Sequence, residues 1–147
     1  MKILVISPGK VHDRVVKDGI EEYQKRLSKK FDVEWVFPSI GNKESESVTI
    51  LKSLKDTDFV VLLDEKGKDV DTLAFAKLLD KQMQSTAKRL VFIIGGAFGV
   101  GGDVIARANM TLKLSSLVFP HMLARLILME QLYRATSILS GGKYHHA

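Results

Sequence analysis

The chain has 147 residues, 46% of them hydrophobic and 27% charged, which suits one soluble globular domain with a real core. It contains no cysteine, so disulfides, thiolate zinc sites and a cysteine nucleophile are excluded. The net charge of +5 is unevenly spread: residues 1–103 carry 17 basic and 16 acidic side chains, residues 104–147 five basic and one acidic. A basic end on a neutral body points to a polyanionic partner, nucleic acid first, although charge kept for solubility would give the same imbalance.

No apolar run is long enough to span a membrane and no signal-peptide pattern opens the chain, so a cytoplasmic location is expected. The four histidines, His12, His121, His145 and His146, include no pair at the helical spacing of a metal site, and no metal is expected.

Lys2–Ser7 reads as a buried strand ending at the Pro8-Gly9 turn signal. A helix is predicted over about Asp13–Lys29, with Val16, Ile20, Tyr23 and Leu27 on one stripe. Val33, Trp35 and Phe37 mark a second strand. A shorter helix over Lys43–Leu54 has acidic residues at its start and lysines at its end, as the helix dipole favours. Phe59–Asp64 is a third buried strand, followed by a polar turn at Glu65–Lys68. Asp71 caps a helix through Gln84, with Leu73, Ala76, Leu79 and Met83 expected to face the core.

Leu90–Ile94 is a fourth strand, and it breaks into a loop holding Gly95, Gly96, Gly99, Gly101 and Gly102. Glycines let a ligand lie against bare main chain, and in open α/β sheets ligands bind beyond the carboxyl ends of strands. The loop lacks the spacing of a dinucleotide fingerprint. Gly102 and Asp103 also stand where a P-loop needs Lys and Ser or Thr. A ligand here is therefore not held mainly through phosphates. A short helix over Asp103–Ala108, a strand at Thr111–Leu114, a loop at Ser115–Phe119 and a long helix from about Pro120 to Leu139 complete the chain. Strands alternating with helices indicate a single α/β domain over residues 1–147, with a mostly parallel sheet and flanking helices.

The last helix is apolar nearly all round: Leu123, Leu126, Ile127, Leu128, Met129, Leu132 and Ile138 point in most directions. A sheet edge covers one side only, so a second subunit is expected to cover the rest. Two polar pairs interrupt it at i, i+4: His121 with Arg125, and Glu130 with Arg134 in the favourable acid-first order.

Several stretches together carry a resemblance: Gly19–Arg26, Leu63 with Gly67-Lys68, Ile94–Gly96, Leu114–His121, Glu130–Ala135 and Tyr144-His145. In these the chain resembles, from end to end, the ribosomal RNA large-subunit methyltransferase H family of the SPOUT class. The resemblance implies a C-terminal trefoil knot, a homodimer, and transfer of a methyl group from S-adenosyl-L-methionine. It implies a target at N3 of a pseudouridine in 23S rRNA, within the large subunit or the whole ribosome. It places cofactor contacts at Leu63, Gly96, Leu114, Ser115, Ser116, Leu117, Val118 and Phe119. The candidate catalytic residues are His121, Glu130, Arg134, Tyr144 and His145. His121, Glu130 and His145 are alternatives for a general base. Arg134 and Arg125 are candidates to hold phosphate or developing negative charge, and Tyr144 to stack on a base or donate a hydrogen bond. His146 stands where many relatives place Arg or Lys. Two rival readings are a SPOUT methyltransferase of tRNA ribose hydroxyls and a ribosome-binding factor with a vestigial cofactor pocket.

Overall fold

The structure is a computed structural model and describes residues 1–96 and 99–145. The expectation attached to His146, and the Ala97-Phe98 part of the glycine loop, lie outside the described residues.

The elements run β1 (Lys2–Ile6), α1 (Arg14–Leu27), β2 (Asp32–Val36), α2 (Lys43–Lys52), β3 (Asp58–Asp69), α3 (Thr72–Met83), β4 (Arg89–Ile94), α4 (Gly102–Arg107), β5 (Met110–Lys113) and α5 (His121–Leu139). The strands form one sheet in the order β2-β1-β4-β3-β5, and every neighbouring pair is parallel. The mostly parallel α/β sheet expected from the alternation is thus borne out.

Alternation of side chains along each strand explains why the runs are apolar throughout. Ile3, Val5, Val61, Leu63, Leu90, Phe92 and Ile94 face one core, shared with α1, α3 and α5. Leu4, Ile6, Val60, Leu62, Val91 and Ile93 face a second core, which includes Ile50 of α2 and Val104 of α4. Three helices are capped by side chains: Asp13 accepts from the amides of Val15 and Val16, Asn42 from Ser45 and Asp71 from Ala74. Asp58, buried at the start of β3, is held by Arg89 at the start of β4, with Nη2 to Oδ2 at 2.6 Å.

Three expectations are corrected. Glu65–Lys68 is not a turn: β3 continues to Asp69, with a register shift against β5 between Leu63 and Lys68. This extension is largely solvent-exposed, so its sequence is polar and reads as a loop. On α3 the inward stripe is Phe75, Ala76, Leu79 and Gln82, whereas Leu73 and Met83 are exposed. On α5 the chain's own packing covers more than one side. Helix α5 lies against both α1 and α3, and Leu128, Met129 and Leu132 are fully buried without any second subunit. On α5 itself Leu123 and Leu139 are exposed, and Leu117 and Val118 are exposed in the loop before it.

Candidate functional site

The carboxyl ends of β3, β4 and β5 converge on an open cleft of about 360 Å³. Leu63, Asp64 and Glu65 line it from β3. Ile94, Gly95, Gly96 and Gly99 line it from the end of β4, and Lys113 through Phe119, apart from Ser116, from beyond β5. Gly96 and Gly99 form an isolated antiparallel bridge, and Gly99 has φ +75°, a left-handed conformation that favours glycine. A hydrogen bond from the Gly99 amide to the Gly96 carbonyl, 3.0 Å, closes this tight loop. The loop 115–119 is fixed at its start by Ser115, whose Oγ accepts from the Leu117 amide at 2.9 Å. Of the eight positions expected to contact the cofactor, seven line this cleft; Ser116 is exposed beside it.

The first turn of α5 brings His121 and Ala124 to the same cleft. The His121 imidazole is held below its ordinary pKa, by burial first and by the Arg125 cation second, while Asp13 opposes both. It is therefore neutral at pH 7. Among the described residues no hydrogen bond to its ring nitrogens is made.

Arg125 is not at the cleft surface, which corrects its expected role as a phosphate contact. Its side chain is fully buried. Nε donates to Oγ of Ser7 at 2.7 Å, Nη1 to the Lys10 carbonyl at 2.9 Å, and Nη2 to the Ser7 and Pro8 carbonyls at 3.4 and 3.3 Å. Its guanidinium carbon also lies 4.8 Å from the centre of the Phe37 ring. This cation pins the β1–α1 loop to α5. With its donors spent on neutral acceptors inside the fold, it is unavailable to a phosphate.

Glu130, Arg134, Tyr144 and His145 come together, but elsewhere. Arg134 Nε donates to Oε1 of Glu130 at 2.7 Å, and Gln131 Nε2 donates to Oε2 at 2.8 Å, so both carboxylate oxygens are engaged. Nη1 of Arg134 lies 3.2 Å from Nδ1 of His145. A guanidinium only donates, so Nδ1 is the acceptor and a neutral His145 carries its proton on Nε2. The Arg134 guanidinium carbon also sits 4.6 Å from the centre of the Tyr144 ring. The Tyr144 hydroxyl meets that of Tyr23 at 3.2 Å. That hydrogen bond, followed by burial, pushes the Tyr144 phenol up to about 12, so it stays protonated and able to donate.

Arg134 lies thirteen positions after His121 on α5, roughly 20 Å along the axis. The chain therefore carries two groups of candidates, and within it they do not meet. The sequence reading missed Asp64 and Glu65, carboxylates at the cleft whose position at the end of a buried strand was the available signal, and the anchoring role of Arg125 and Ser7, for which the sequence held no signal.

A family model described as "Predicted SPOUT methyltransferase" matches residues 1–145. A ribosomal RNA large subunit methyltransferase H of Parabacteroides distasonis is 41% identical over 157 aligned residues, covering 99% of each chain. A protein of the same name from Gluconacetobacter diazotrophicus is 42% identical over 147 residues, covering 97% of this chain and 96% of its own. Among solved structures, a "probable methylase family protein" of Haemophilus influenzae matches 95% of this chain with a TM-score of 0.54 at 10% identity. This chain spans 66% of that one, and the likeness shows a shared fold alone. The resemblance drawn from the sequence is borne out: the chain belongs to the SPOUT methyltransferases and, within them, to the ribosomal RNA large subunit methyltransferase H family.

Proposed function

We propose that the chain methylates N3 of a pseudouridine in 23S rRNA of the large subunit, in the cytoplasm, with S-adenosyl-L-methionine as donor. One observation carries the reading: in a chain that aligns end to end with relatives named for rRNA methylation, seven of the eight expected cofactor positions line one cleft that His121 also reaches. The chemistry of the lining fits the donor. Asp64 and Glu65 suit a cationic ligand, while bare glycine backbone and the apolar side chains of Leu63, Leu114 and Val118 suit an adenosine. Leu63, Gly96 and the 114–119 loop would hold it. When bound, the cofactor supplies an electrophilic methyl group on a sulfonium sulfur.

His121 is the general base in this reading. It is neutral, lies at the cleft and has unengaged ring nitrogens, so it can accept the N3 proton as that nitrogen becomes nucleophilic. Glu130 is a poorer base because both of its oxygens are already bonded. His145 spends Nδ1 on Arg134 and keeps a proton on Nε2. Glu130 instead orients Arg134, which stabilises the negative charge gathering on the oxygens of the target base. Tyr144 donates to, or stacks on, the RNA.

Arg134, Tyr144 and His145 reach a cleft only if a second copy supplies them, since they lie roughly 20 Å along α5 from His121 in their own chain. This supports a homodimer in which each site is composite. The exposed Leu117, Val118 and Leu123 beside the cleft supply apolar surface for it. The family reading also implies a C-terminal trefoil knot.

The test is transfer of labelled methyl from S-adenosyl-L-methionine to ribosomes of cells lacking this gene, with nucleoside analysis of the product. Label in N3-methylpseudouridine supports the reading. Label in a tRNA ribose, or none despite cofactor binding, supports one or the other rival reading.

A further inference from the structure

A second depression, about 630 Å³, lies between the end of α1 and the end of α5. Lys25, Arg26, Lys29 and Lys30 line it from α1 and the turn after it, and Lys143 from beyond α5. Among the described residues its one carboxylate is Glu22, whose Oε1 is 3.0 Å from Nε of Arg26. That leaves Lys25, Lys29, Lys30 and Lys143 exposed and unpaired with any carboxylate among the described residues.

The helix dipole accounts for part of this charge, since cations are favoured in a last turn. It accounts for Lys25 and Arg26. Lys29 and Lys30 lie past the helix end, and Lys143 arrives from a different element at the far end of the sequence, so folding alone does not call for these charges to share one depression. Like charges brought together without acids raise the energy of the folded state, and a polyanion relieves that cost. The floor has two tyrosines, Tyr133 and Tyr144, with ring centres 4.8 Å apart. Tyr144 also belongs to the Arg134–His145 group, so the basic depression is continuous with those candidate catalytic residues.

We propose that this groove docks the sugar–phosphate backbone of rRNA flanking the target nucleotide, through Lys25, Lys29, Lys30 and Lys143. The proposal rests on the rRNA reading above and adds to it a sequence-independent phosphate track outside the cofactor cleft. Ammonium groups on flexible stems fit this task, because they follow a backbone as point charges without reading base edges.

The experiment compares the full-length chain with a groove variant, K25A/K29A/K30A, and a control variant, K52A/K77A/K81A, which removes the same charge from exposed positions on α2 and α3. Affinity for ribosomes from cells lacking the gene is measured against salt concentration, alongside calorimetric S-adenosyl-L-methionine binding and sedimentation. The groove variant is expected to lose about 10- to 100-fold in ribosome affinity near 0.15 M salt, with a log–log salt slope shallower by about 2 to 3. Cofactor affinity and oligomeric state should match the unaltered chain, and the control variant should keep both affinity and slope. A groove variant indistinguishable from the control overturns the proposal and makes the groove a solvated surface. If instead the unaltered chain binds the ribosomes and methylates them while only the groove proposal fails, the functional reading stands. An unaltered chain that neither binds nor methylates them overturns both.

Discussion

Arg125 and Ser7 are joined at 2.7 Å by a charge-assisted hydrogen bond, and neither side chain is exposed to solvent. The two lie 118 residues apart in sequence. The pair ties the loop after the first strand to the helix that carries His121, so the shape of the cleft rim depends on it. Arg125→Ala would strand the Ser7 hydroxyl and the Ser7, Pro8 and Lys10 carbonyls. At about 1–3 kcal/mol for each buried group left unsatisfied, a loss of at least about 3 kcal/mol is expected, and Ser7→Ala should lose about 1.5–3 kcal/mol. Urea unfolding measures both, and a loss below about 1 kcal/mol for Arg125→Ala would show that water replaces the anchor.

His12 adds a pH dependence to the same region. Its pKa is lowered to about 4, by burial first and then by the Arg125 cation, with Asp13 opposing. The ring also packs edge-on against Trp35 and Phe37, with centroids at 4.4 and 5.4 Å. An unfolded chain takes up this proton near pH 6.5, whereas the folded chain resists until about pH 4. Between those values the unfolded state binds more protons. The contribution is thus fully present above about pH 6.5 and is lost progressively as pH falls toward 4. His12→Phe should flatten this part of the stability profile in denaturant titrations. A variant with the same acid-side slope as the natural chain would locate the effect elsewhere.

Two glycines separate binding from folding. Among the described residues a Cβ on Gly96 would meet Oε1 of Glu46, at 3.1 Å, the far end of a side chain able to move, so Gly96→Ala and Gly96→Val should fold. Both fill space at the cleft and should weaken S-adenosyl-L-methionine binding by calorimetry, Val more than Ala, while nicotinamide dinucleotides bind neither form. A Cβ on Gly67 would overlap the Leu112 backbone, so Gly67→Ala should destabilise the fold instead. A folded Gly96→Val with full cofactor affinity would remove this loop from the site.

Burial within the chain separates two kinds of apolar residue near the proposed dimer contact. Leu132 is fully buried inside its own chain, so Leu132→Glu should unfold the protein rather than release monomers. Val118 is 81% exposed, and Val118→Glu should leave the fold intact. If the apolar surface beside the cleft forms the dimer contact, sedimentation of Val118→Glu will show a folded monomer or a weakened dimer. An unaltered dimer would place the interface on another face.

Strands β1 and β4 and the first half of β3 were legible because each is a short apolar run, and burial on both faces leaves few polar positions to obscure it. Val16, Ile20 and Leu27 gave α1 its stripe, and Asp71 its cap to α3. The continuation of β3 through Glu65–Lys68 was not legible, since a solvent-exposed extension of a strand carries the same residues as a loop. The strand order β2-β1-β4-β3-β5 has no signature in local pattern. The positions lining the cleft came from resemblance, but their convergence is a property of the sheet. Arg125 read as a surface cation because its acceptors are backbone carbonyls more than a hundred residues away, and no spacing rule reports those. The i, i+4 link of Glu130 to Arg134 was readable. That Gln131 and Arg134 together occupy both oxygens of Glu130 was not.

Transfer of a methyl group to N3 of a 23S rRNA pseudouridine by this chain can be read by mass spectrometry of 23S rRNA from cells lacking the gene, from the same cells with the gene restored, and from cells carrying His121→Ala. One N3-methylpseudouridine is expected to disappear with the gene, return with the intact chain, and stay absent or much reduced with a folded His121→Ala protein. An rRNA methylation pattern that is the same with and without the gene would contradict it.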